Sequence, residues 1–355
     1  MFNLSTCSIW PNLFHRLGQI EHVDRLNMFL NTISSYYDPH TSYYPPKDKE
    51  DFDISMSGQL EGIGATLSSR DGYVKVMAIV PGSPSWKQGE LKAGDLILKV
   101  AQGDNEAVDV VGMRLDKAVK YVRGKKGTTV KLTVKKVDGD IVVIPIVRDI
   151  VILEETYAKS VIVQDEASGK RYGYITFPQF YVNFSKVDGG RRCSNDVLKE
   201  INKLKKEGIE GLMIDLRNNG GGSLPDAVTM AGYFIEQGPI VQVKYKTGKP
   251  EILKDIDPKI QYDGPLVIMV NGSSASASEI FAAAMQDYKR AVIIGGKKTF
   301  GKGTVQRIVD LDRIVGGKYT DMKPFGAMKL TFQKFYRING GATPKASFSL
   351  PSLLC

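Results

Sequence analysis

The alternation of buried strands and amphipathic helices between residues 171 and 295 restricts the fold of this chain most. Predicted strands lie at 171–177, 211–217, 265–271 and 291–295, and predicted helices lie at 195–207, 224–236 and 276–288. This order predicts an α/β domain with a largely parallel sheet. Ligand sites of such sheets lie beyond the carboxyl ends of the strands. The glycine-rich turns after two of these strands, at 218–222 and 272–278, are therefore the first places to look for chemistry.

The stretch from Pro265 to Gln306 combines hydroxyl groups and a lysine at two such strand ends. Ser276 begins the predicted helix, where free N–H groups and the positive end of the helix favour a developing negative charge. From the residues alone, Ser274 or Ser278 could equally be the attacking group, or all three serines could be capping and packing residues. The pattern favours a serine nucleophile paired with a lysine base.

A histidine base is not favoured, because the chain has three histidines and all lie in the first 40 residues, at positions 15, 22 and 40. A Ser-His-Asp triad would need one of them to fold back onto a distant serine. A histidine-rich zinc site is disfavoured by the same count. We expect no metal and no cofactor.

Lys302 is the candidate base, at the centre of the glycine-rich loop that follows the last predicted strand. A free lysine has a pKa of about 10.4 and is protonated at neutral pH. Burial lowers that pKa because the charged form loses its solvation. The neighbouring Gly301 and Gly303 allow the backbone to approach closely. The alternative is an ordinary solvated loop lysine, like Lys297.

The first 148 residues have a different pattern. Residues 1–56 form an opening segment with a predicted helix at 24–35, and residues 57–148 form a β-rich module with a predicted helix at 109–124. This order of elements resembles a PDZ domain. Gly62-Ile63-Gly64-Ala65 stands where PDZ domains bind a terminal carboxylate, and the strand edge that follows could accept a peptide as an added strand. The alternative is a small β module that only packs.

Four motifs together resemble the carboxyl-terminal processing peptidases, also called tail-specific proteases. They are Asp38-Pro-His-Thr-Ser42, Asp215-Leu-Arg-Asn-Asn-Gly-Gly-Gly222, Ser274-Ala-Ser-Ala-Ser-Glu-Ile280 and Thr299-Phe-Gly-Lys-Gly-Thr-Val-Gln306. The resemblance implies a ClpP/crotonase-like α/β peptidase core at 149–355, an inserted PDZ-like domain at 57–148 and an N-terminal helical segment at 1–56. It implies a PDZ-assisted serine endopeptidase that acts through an acyl-enzyme.

The same resemblance assigns roles to individual residues. Ser276 is the implied nucleophile, Lys302 the general base and Gln306 the residue that orients the lysine. The backbone N–H of Ala277 and that of Gly221 or Gly222 are the implied oxyanion donors, and the spacing does not choose between the two glycines. Asp287 and Arg290 match family positions as well, and we expect a structural salt bridge from them.

Two other interpretations compete with a peptidase. Gly296 to Lys302 matches most of a nucleotide-binding P-loop, but Gly303 stands where that motif needs a serine or threonine for magnesium. The second alternative is a PDZ-bearing scaffold with an inactive hydrolase domain. The intact Ser276, Lys302 and Gln306 argue against it.

Composition places few further limits on partners and location. The net charge of +9 comes from scattered basic residues, which indicates a solvated basic surface rather than a nucleic-acid site. The N-terminus shows no signal peptide and the chain shows no membrane span. The resemblance implies a periplasmic or cell-envelope enzyme that acts on protein or peptide substrates with exposed C-terminal tails, with an adaptor protein as a possible partner. The unpatterned tail at 347–355 indicates a truncated or divergent C-terminus.

Overall fold

The computed structural model describes residues 17–184, 190–317 and 319–341, which divide into two compact units. The first unit contains residues 59–153 and the described residues before Leu26. The second unit contains residues 26–58 and the described residues from Glu154 onward. The N-terminal residues are therefore shared between the two units rather than forming a third. His15 and the tail at 347–355 lie outside the described residues.

The helices and strands are numbered in chain order. The helices are α1 His22–Tyr37, α2 Pro46–Ser57, α3 Pro84–Gln88, α4 Leu115–Val122, α5 Cys193–Lys206, α6 Leu224–Gly232, α7 Ala277–Asp287 and α8 Leu311–Val315. The first nine strands are β1 Ser42–Tyr44, β2 Gln59–Gly62, β3 Ala65–Arg70, β4 Tyr73–Ile79, β5 Leu96–Gln102, β6 Val108–Asp109, β7 Thr129–Lys135, β8 Ile141–Val147 and β9 Asp149–Ile152. The others are β10 Lys159–Gln164, β11 Arg171–Thr176, β12 Gly211–Asp215, β13 Gly238–Tyr245, β14 Glu251–Asp255, β15 Leu266–Val270, β16 Val292–Gly295, β17 Thr304–Asp310 and β18 Ala327–Tyr336.

The first unit is built on an antiparallel sheet of strand order β3-β4-β5-β7-β8, and the separate pair β2–β9 adds to it. Alternate residues of these strands, such as Val76, Ile97 and Leu132, are fully buried in one apolar core, as period-2 patterning requires. Helix α4 is shorter than the sequence predicts. The chain before it carries the short strand β6 and a turn in which the Asp109 carboxylate accepts from the Val111 N–H. This aspartate turn competes with helix formation.

A five-stranded sheet of order β10-β11-β12-β15-β16 forms the centre of the second unit. The strands from β11 to β16 are parallel, and β10 joins antiparallel at the edge. Ile175, Ile214 and Ile268, on three neighbouring strands, are completely buried among residues of helices α5, α6 and α7. Parallel strands covered by helices need such apolar residues. The predicted α/β core with a mostly parallel sheet is confirmed.

A second sheet of this unit, antiparallel throughout, is centred on β18. One edge of β18 pairs with β17, and its other edge pairs with β1 near one end and with β13 near the other. Strand β17 and the β13–β14 hairpin were not predicted. The pairing of β1 with β18 joins segments that are almost 300 residues apart, and no local pattern indicates it. In the part of the chain that the structure describes, no helix is both long and apolar enough to cross a membrane.

Candidate active site

The turn between β15 and α7 holds the three serines singled out above. Ser276 is its last residue and has a φ of +56°. Non-glycine residues rarely adopt this conformation, and strained residues of this kind cluster at functional sites. Helix α7 begins directly after it, with nine buried residues between Ala277 and Met285. The surrounding packing therefore maintains the strained backbone.

Hydrogen bonding separates Ser276 from its two neighbours. The buried Ser274 hydroxyl donates to the Leu216 carbonyl at 2.7 Å, and the buried Ser278 hydroxyl donates to the Asn219 carbonyl at 3.0 Å. Both serines thus fasten the turn to the chain that follows β12. Ser276 is only partly buried, and within the described chain its hydroxyl donates to no acceptor. It is the serine of the three that is left available for chemistry.

The buried carboxylate of Glu279 joins the serine turn to the lysine loop. Its Oε2 accepts from the backbone N–H of Ser276 at 2.8 Å and from that of Lys302 at 3.0 Å. Its Oε1 accepts from the Gly301 N–H and from the Thr299 hydroxyl, both at 2.7 Å. One oxygen therefore holds the main chain of both candidate residues. Sequence reasoning missed this role, although a glutamate three residues after a helix N-cap is a recognisable capping signal.

Lys302 is partly buried, and this burial lowers the pKa of its ammonium group below the usual value for lysine. The nearby positive charge of Lys329 lowers this pKa further, whereas the Glu279 carboxylate raises it. The Lys302 Nζ donates to the Gln306 Oε1 at 2.9 Å. The structure thus brings Lys302 and Gln306 into direct contact, and Glu279 connects both to Ser276.

Gln306 is held from its other side by the turn before β1. Its Nε2 donates to the His40 carbonyl at 3.3 Å, so its oxygen faces Lys302. The turn itself is closed by the Thr41 hydroxyl, which donates to the Asp38 carboxylate at 2.8 Å. The sequence motif at 38–42 was recognised, but its contact with the lysine partner was not. The signal was absent because a main-chain carbonyl is independent of residue type.

The glycine turn after β12 is organised by the fully buried Asn219. The Asn219 Oδ1 accepts from the Gly221 N–H at 3.0 Å, whereas the N–H groups of Gly222 and Ala277 donate to no acceptor within the described chain. Gly221 has a φ of +101°, and a Cβ at this residue would lie 2.7 Å from the Ser276 Cβ and 3.1 Å from the Ala277 nitrogen. The glycine turn therefore packs directly against the serine turn.

The expected salt bridge from Asp287 and Arg290 does not form between these two residues. Asp287 instead pairs with Arg337, and both side chains are largely buried. Arg290 donates to the carbonyls of Phe234, Tyr262 and Gly264. Both residues therefore stabilise the core around the far end of α7 rather than contacting each other.

Comparison with known proteins identifies the family of this chain. The model of peptidase family S41 matches residues 171–347, and the PDZ domain model matches residues 52–135. A tail-specific protease from Haemophilus influenzae is 42% identical over 92% of this chain. The carboxy-terminal processing protease CtpA from Bacillus subtilis is 32% identical over 90% of this chain. The chain belongs to the carboxyl-terminal processing peptidase family.

The chain spans 45% of the length of the Haemophilus influenzae relative and 62% of that of the Bacillus subtilis relative. Among solved structures, a photosystem II D1 C-terminal processing protease is similar to this chain. It is 24% identical and has a TM-score of 0.48, and the match covers 91% of this chain and 80% of that chain.

In this family member, the PDZ turn runs from Gly62 at the end of β2 to Ala65 at the start of β3. Gly64 has a φ of +76°, and its carbonyl accepts from the Val80 N–H and from the Ser83 hydroxyl. The N–H groups of Ile63 and Gly64 donate to no acceptor in the described chain. Strand β3 pairs with β4 on one side and is the edge of its sheet. The turn thus offers adjacent amide donors beside an open strand edge.

The P-loop interpretation of the lysine loop is wrong. A P-loop leads into a helix whose N-terminus contributes to phosphate binding. Lys302 instead precedes strand β17, and the loop amides of Gly301 and Lys302 already donate to Glu279. These donors are therefore not available to a phosphate.

Proposed function

We propose that this chain is a serine endopeptidase that binds the C-terminal tail of a protein substrate with its PDZ turn and cleaves a peptide bond with Ser276 and Lys302. The observation that carries this proposal is the Glu279 carboxylate, one oxygen of which holds the backbone of both residues. The strained, partly exposed Ser276 and the partly buried Lys302, whose pKa is lowered, support it.

In the proposed reaction, neutral Lys302 takes the proton of the Ser276 hydroxyl as Oγ attacks the substrate carbonyl. Gln306 holds the Lys302 Nζ in place during this step. The Lys302 ammonium then gives its proton to the departing amine, and an acyl-enzyme remains. Neutral Lys302 next takes a proton from water, whose oxygen attacks the ester. Collapse of that intermediate returns the proton to Ser276 and releases the new carboxyl end.

The tetrahedral oxyanion would accept hydrogen bonds from the N–H groups of Ala277 and Gly222. Both groups are unbonded within the described protein, whereas the Gly221 N–H is already engaged by Asn219. This difference supports Gly222 over Gly221 as the second donor. Preorganised donors of this kind each contribute about 10²–10³-fold in kcat.

Tail binding would use the amide groups of Ile63 and Gly64 for the terminal carboxylate, while the tail adds as a strand to the edge of β3. Gly62 and Ala65 shape the two ends of this turn. Membership of a family with bacterial tail-specific and carboxy-terminal processing proteases supports a location in the cell envelope or periplasm, where an adaptor protein could deliver substrates.

The test is cleavage of an unfolded substrate protein that ends in either an apolar or a charged tail. Ser276→Ala should reduce kcat by at least about 10³-fold, while a tail peptide binds with unchanged Kd. Lys302→Ala should have the same effect. Wild-type activity should rise with pH as Lys302 loses its proton, and this rise should occur below the pH range of a free lysine.

An inactive PDZ scaffold is the alternative function, and the same assay separates the two. A scaffold would bind the tail peptide, and the wild-type chain would cleave nothing at any pH. Cleavage by Ser276→Ala at the wild-type rate would exclude the proposed nucleophile.

A further inference from the structure

We propose that Lys329 acts on the reaction through Lys302, as a fixed positive charge that favours the neutral, basic form of Lys302. This inference rests on the proposed function, because it concerns the base of that reaction. Lys329 belongs to none of the four sequence motifs, and it lies on β18 rather than on the serine turn or the lysine loop.

Strand register places Lys329 on the face of the sheet that carries Gln306. In the β17–β18 pair, Gln306 lies opposite Thr331 and Ile308 lies opposite Lys329. Side chains two residues apart on a strand, and those directly opposite across a pair, share one face. Lys329 and Gln306 are therefore diagonal neighbours on this face. The Lys302 Nζ lies beside the Gln306 side chain, because it donates a hydrogen bond to the Gln306 Oε1.

Tyr44 on β1 holds the Lys329 side chain. The Lys329 Nζ lies 3.5 Å from the Tyr44 hydroxyl and 5.8 Å from the centre of its ring. Strand β1 is fixed in turn by Asn31, whose side chain exchanges two hydrogen bonds with the main chain of Tyr43. A tyrosine ring attracts a cation without neutralising it. The contact with Tyr44 thus keeps the positive charge in place.

The positive charge of Lys329 counteracts the effect of the Glu279 charge on the protonation of Lys302. The Glu279 carboxylate is needed to join the two halves of the site, but its negative charge favours protonated Lys302, which is not a base. Its oxygens are surrounded by four N–H and O–H donors, which moderates this effect without reversing its sign. A like charge from the opposite side shifts the balance back towards neutral Lys302.

The charged groups around Lys302 come from three directions. Glu279 faces it from α7, and Lys329 faces it from β18. Asp38 and His40 lie on the turn that holds Gln306, where the Asp38 carboxylate accepts from Thr41. Burial and Lys329 both lower the pKa of Lys302, and Glu279 opposes them. Removal of the Lys329 charge should therefore raise the pKa of Lys302.

The experiment compares pH profiles of kcat/KM for the full chain, with an unfolded protein that ends in an apolar tail as substrate. Lys329→Met removes the charge and keeps the length of the side chain, and Lys329→Arg keeps the charge. Lys334→Met is the matched control, because Lys334 is an exposed lysine on the same strand that lies opposite Thr304, five residues from Lys329. Lys329→Gln provides a second neutral variant if Lys329→Met does not fold.

The neutral variants should be about three- to tenfold less active than the wild type at pH 7, because more of Lys302 keeps its proton when this like charge is removed. Their activity should recover at high pH, so the rising part of the profile moves to higher pH. Lys329→Arg and Lys334→Met should keep the wild-type profile.

Three outcomes would overturn this proposal: an unshifted profile for both neutral variants, an equal loss of activity at every pH, or the same shift for Lys334→Met. A wild-type chain that cleaves nothing, or a Ser276→Ala variant that cleaves normally, would instead refute the proposed function. The two failures are therefore distinguishable.

Discussion

Two glycine-rich turns of this chain contain main-chain N–H groups that have no acceptor among the described residues, but the two turns are assembled differently. In the PDZ turn, the free amides belong to the consecutive residues Ile63 and Gly64. In the peptidase core, the free amides belong to Gly222, on the turn after β12, and to Ala277, the first residue of α7, which are 55 positions apart in the sequence. The first turn is complete within four residues, whereas the second depends on the packing of β12 beside β15.

This difference matches the chemistry proposed for each turn. A terminal carboxylate is present before binding, so a local turn that presents adjacent amides is sufficient for it. An oxyanion exists only during the reaction, and its donors must be aligned with the attacking serine. The core turn therefore needs tertiary contacts, such as that between Gly221 and Ser276, that the PDZ turn does without.

Among the variants that test this comparison, the largest effect is expected from Gly221→Ala, which would force apart the two turns of the core. Its Cβ would lie 2.7 Å from both the Ala275 carbonyl oxygen and the Ser276 Cβ, at a φ of +101°. We expect kcat to fall by about 10²–10³-fold. Gly220→Ala is the control, because no atom lies within 4 Å of its Cβ. Equal activity of the two variants in a cleavage assay would contradict the assembled site.

Glu279→Ala tests whether the core site needs the buried Glu279 carboxylate, which joins the serine turn to the lysine loop. The variant loses the four hydrogen bonds that join the serine turn to the lysine loop. A misplacement of about 1 Å at a catalytic group can cost about 10²-fold, and we expect a loss of that size in kcat with little change in KM. Thr299→Val removes one of the four bonds and should have a smaller effect. If steady-state kinetics showed a larger loss of kcat for Thr299→Val than for Glu279→Ala, this role of Glu279 would be contradicted.

Gly64→Ala tests the PDZ turn in the same way. The new Cβ would collide with the Ser83 side chain, so the two free amides would be displaced. We expect the Kd of a tail peptide to rise about tenfold or more, while kcat on a short peptide stays unchanged. Gly72→Ala is a close control, because Gly72 has nearly the same φ, +78° against +76°, and open space around it. Calorimetric titration of both variants with the tail peptide would show whether the rise in Kd comes from the collision with Ser83 or from backbone strain alone. An equal rise in Kd for Gly72→Ala would contradict the role of the PDZ turn.

The smallest expected effect is a change in the thermal stability of the protein and not a change in its catalytic activity. The pKa of Lys302 is lower in the folded chain than in the unfolded chain, so its protonated form opposes folding. This cost is present at neutral pH and disappears as the pH rises above the pKa of the unfolded lysine. Lys302→Met should therefore raise Tm by a few degrees at pH 7, with a smaller gain near pH 11. Exposed Lys297→Met should give no gain in thermal denaturation at either pH.

The two turns also show which features of the candidate site could be predicted from the sequence and which could not. Local patterns predicted the serine turn, helix α7 and the PDZ turn, because each depends on neighbouring residues. The choice between Gly221 and Gly222 depends on the Asn219 side chain, which engages one of these two amides and not the other. The contact between Gln306 and the His40 carbonyl spans 266 positions, and nothing in the identity of residue 40 encodes it. Strand β17 went unpredicted because its partner strand β18 determines it.

The β1–β18 pairing has a consequence for the timing of activity during synthesis. During synthesis β1 emerges almost 300 residues before β18, and the carbonyl that holds Gln306 lies just before β1. The lysine and its amide partner therefore reach their final arrangement only after the intervening residues have emerged and folded. On the proposed mechanism, a nascent chain would accordingly lack a complete Lys302–Gln306 arrangement until β18 has emerged and paired with β1.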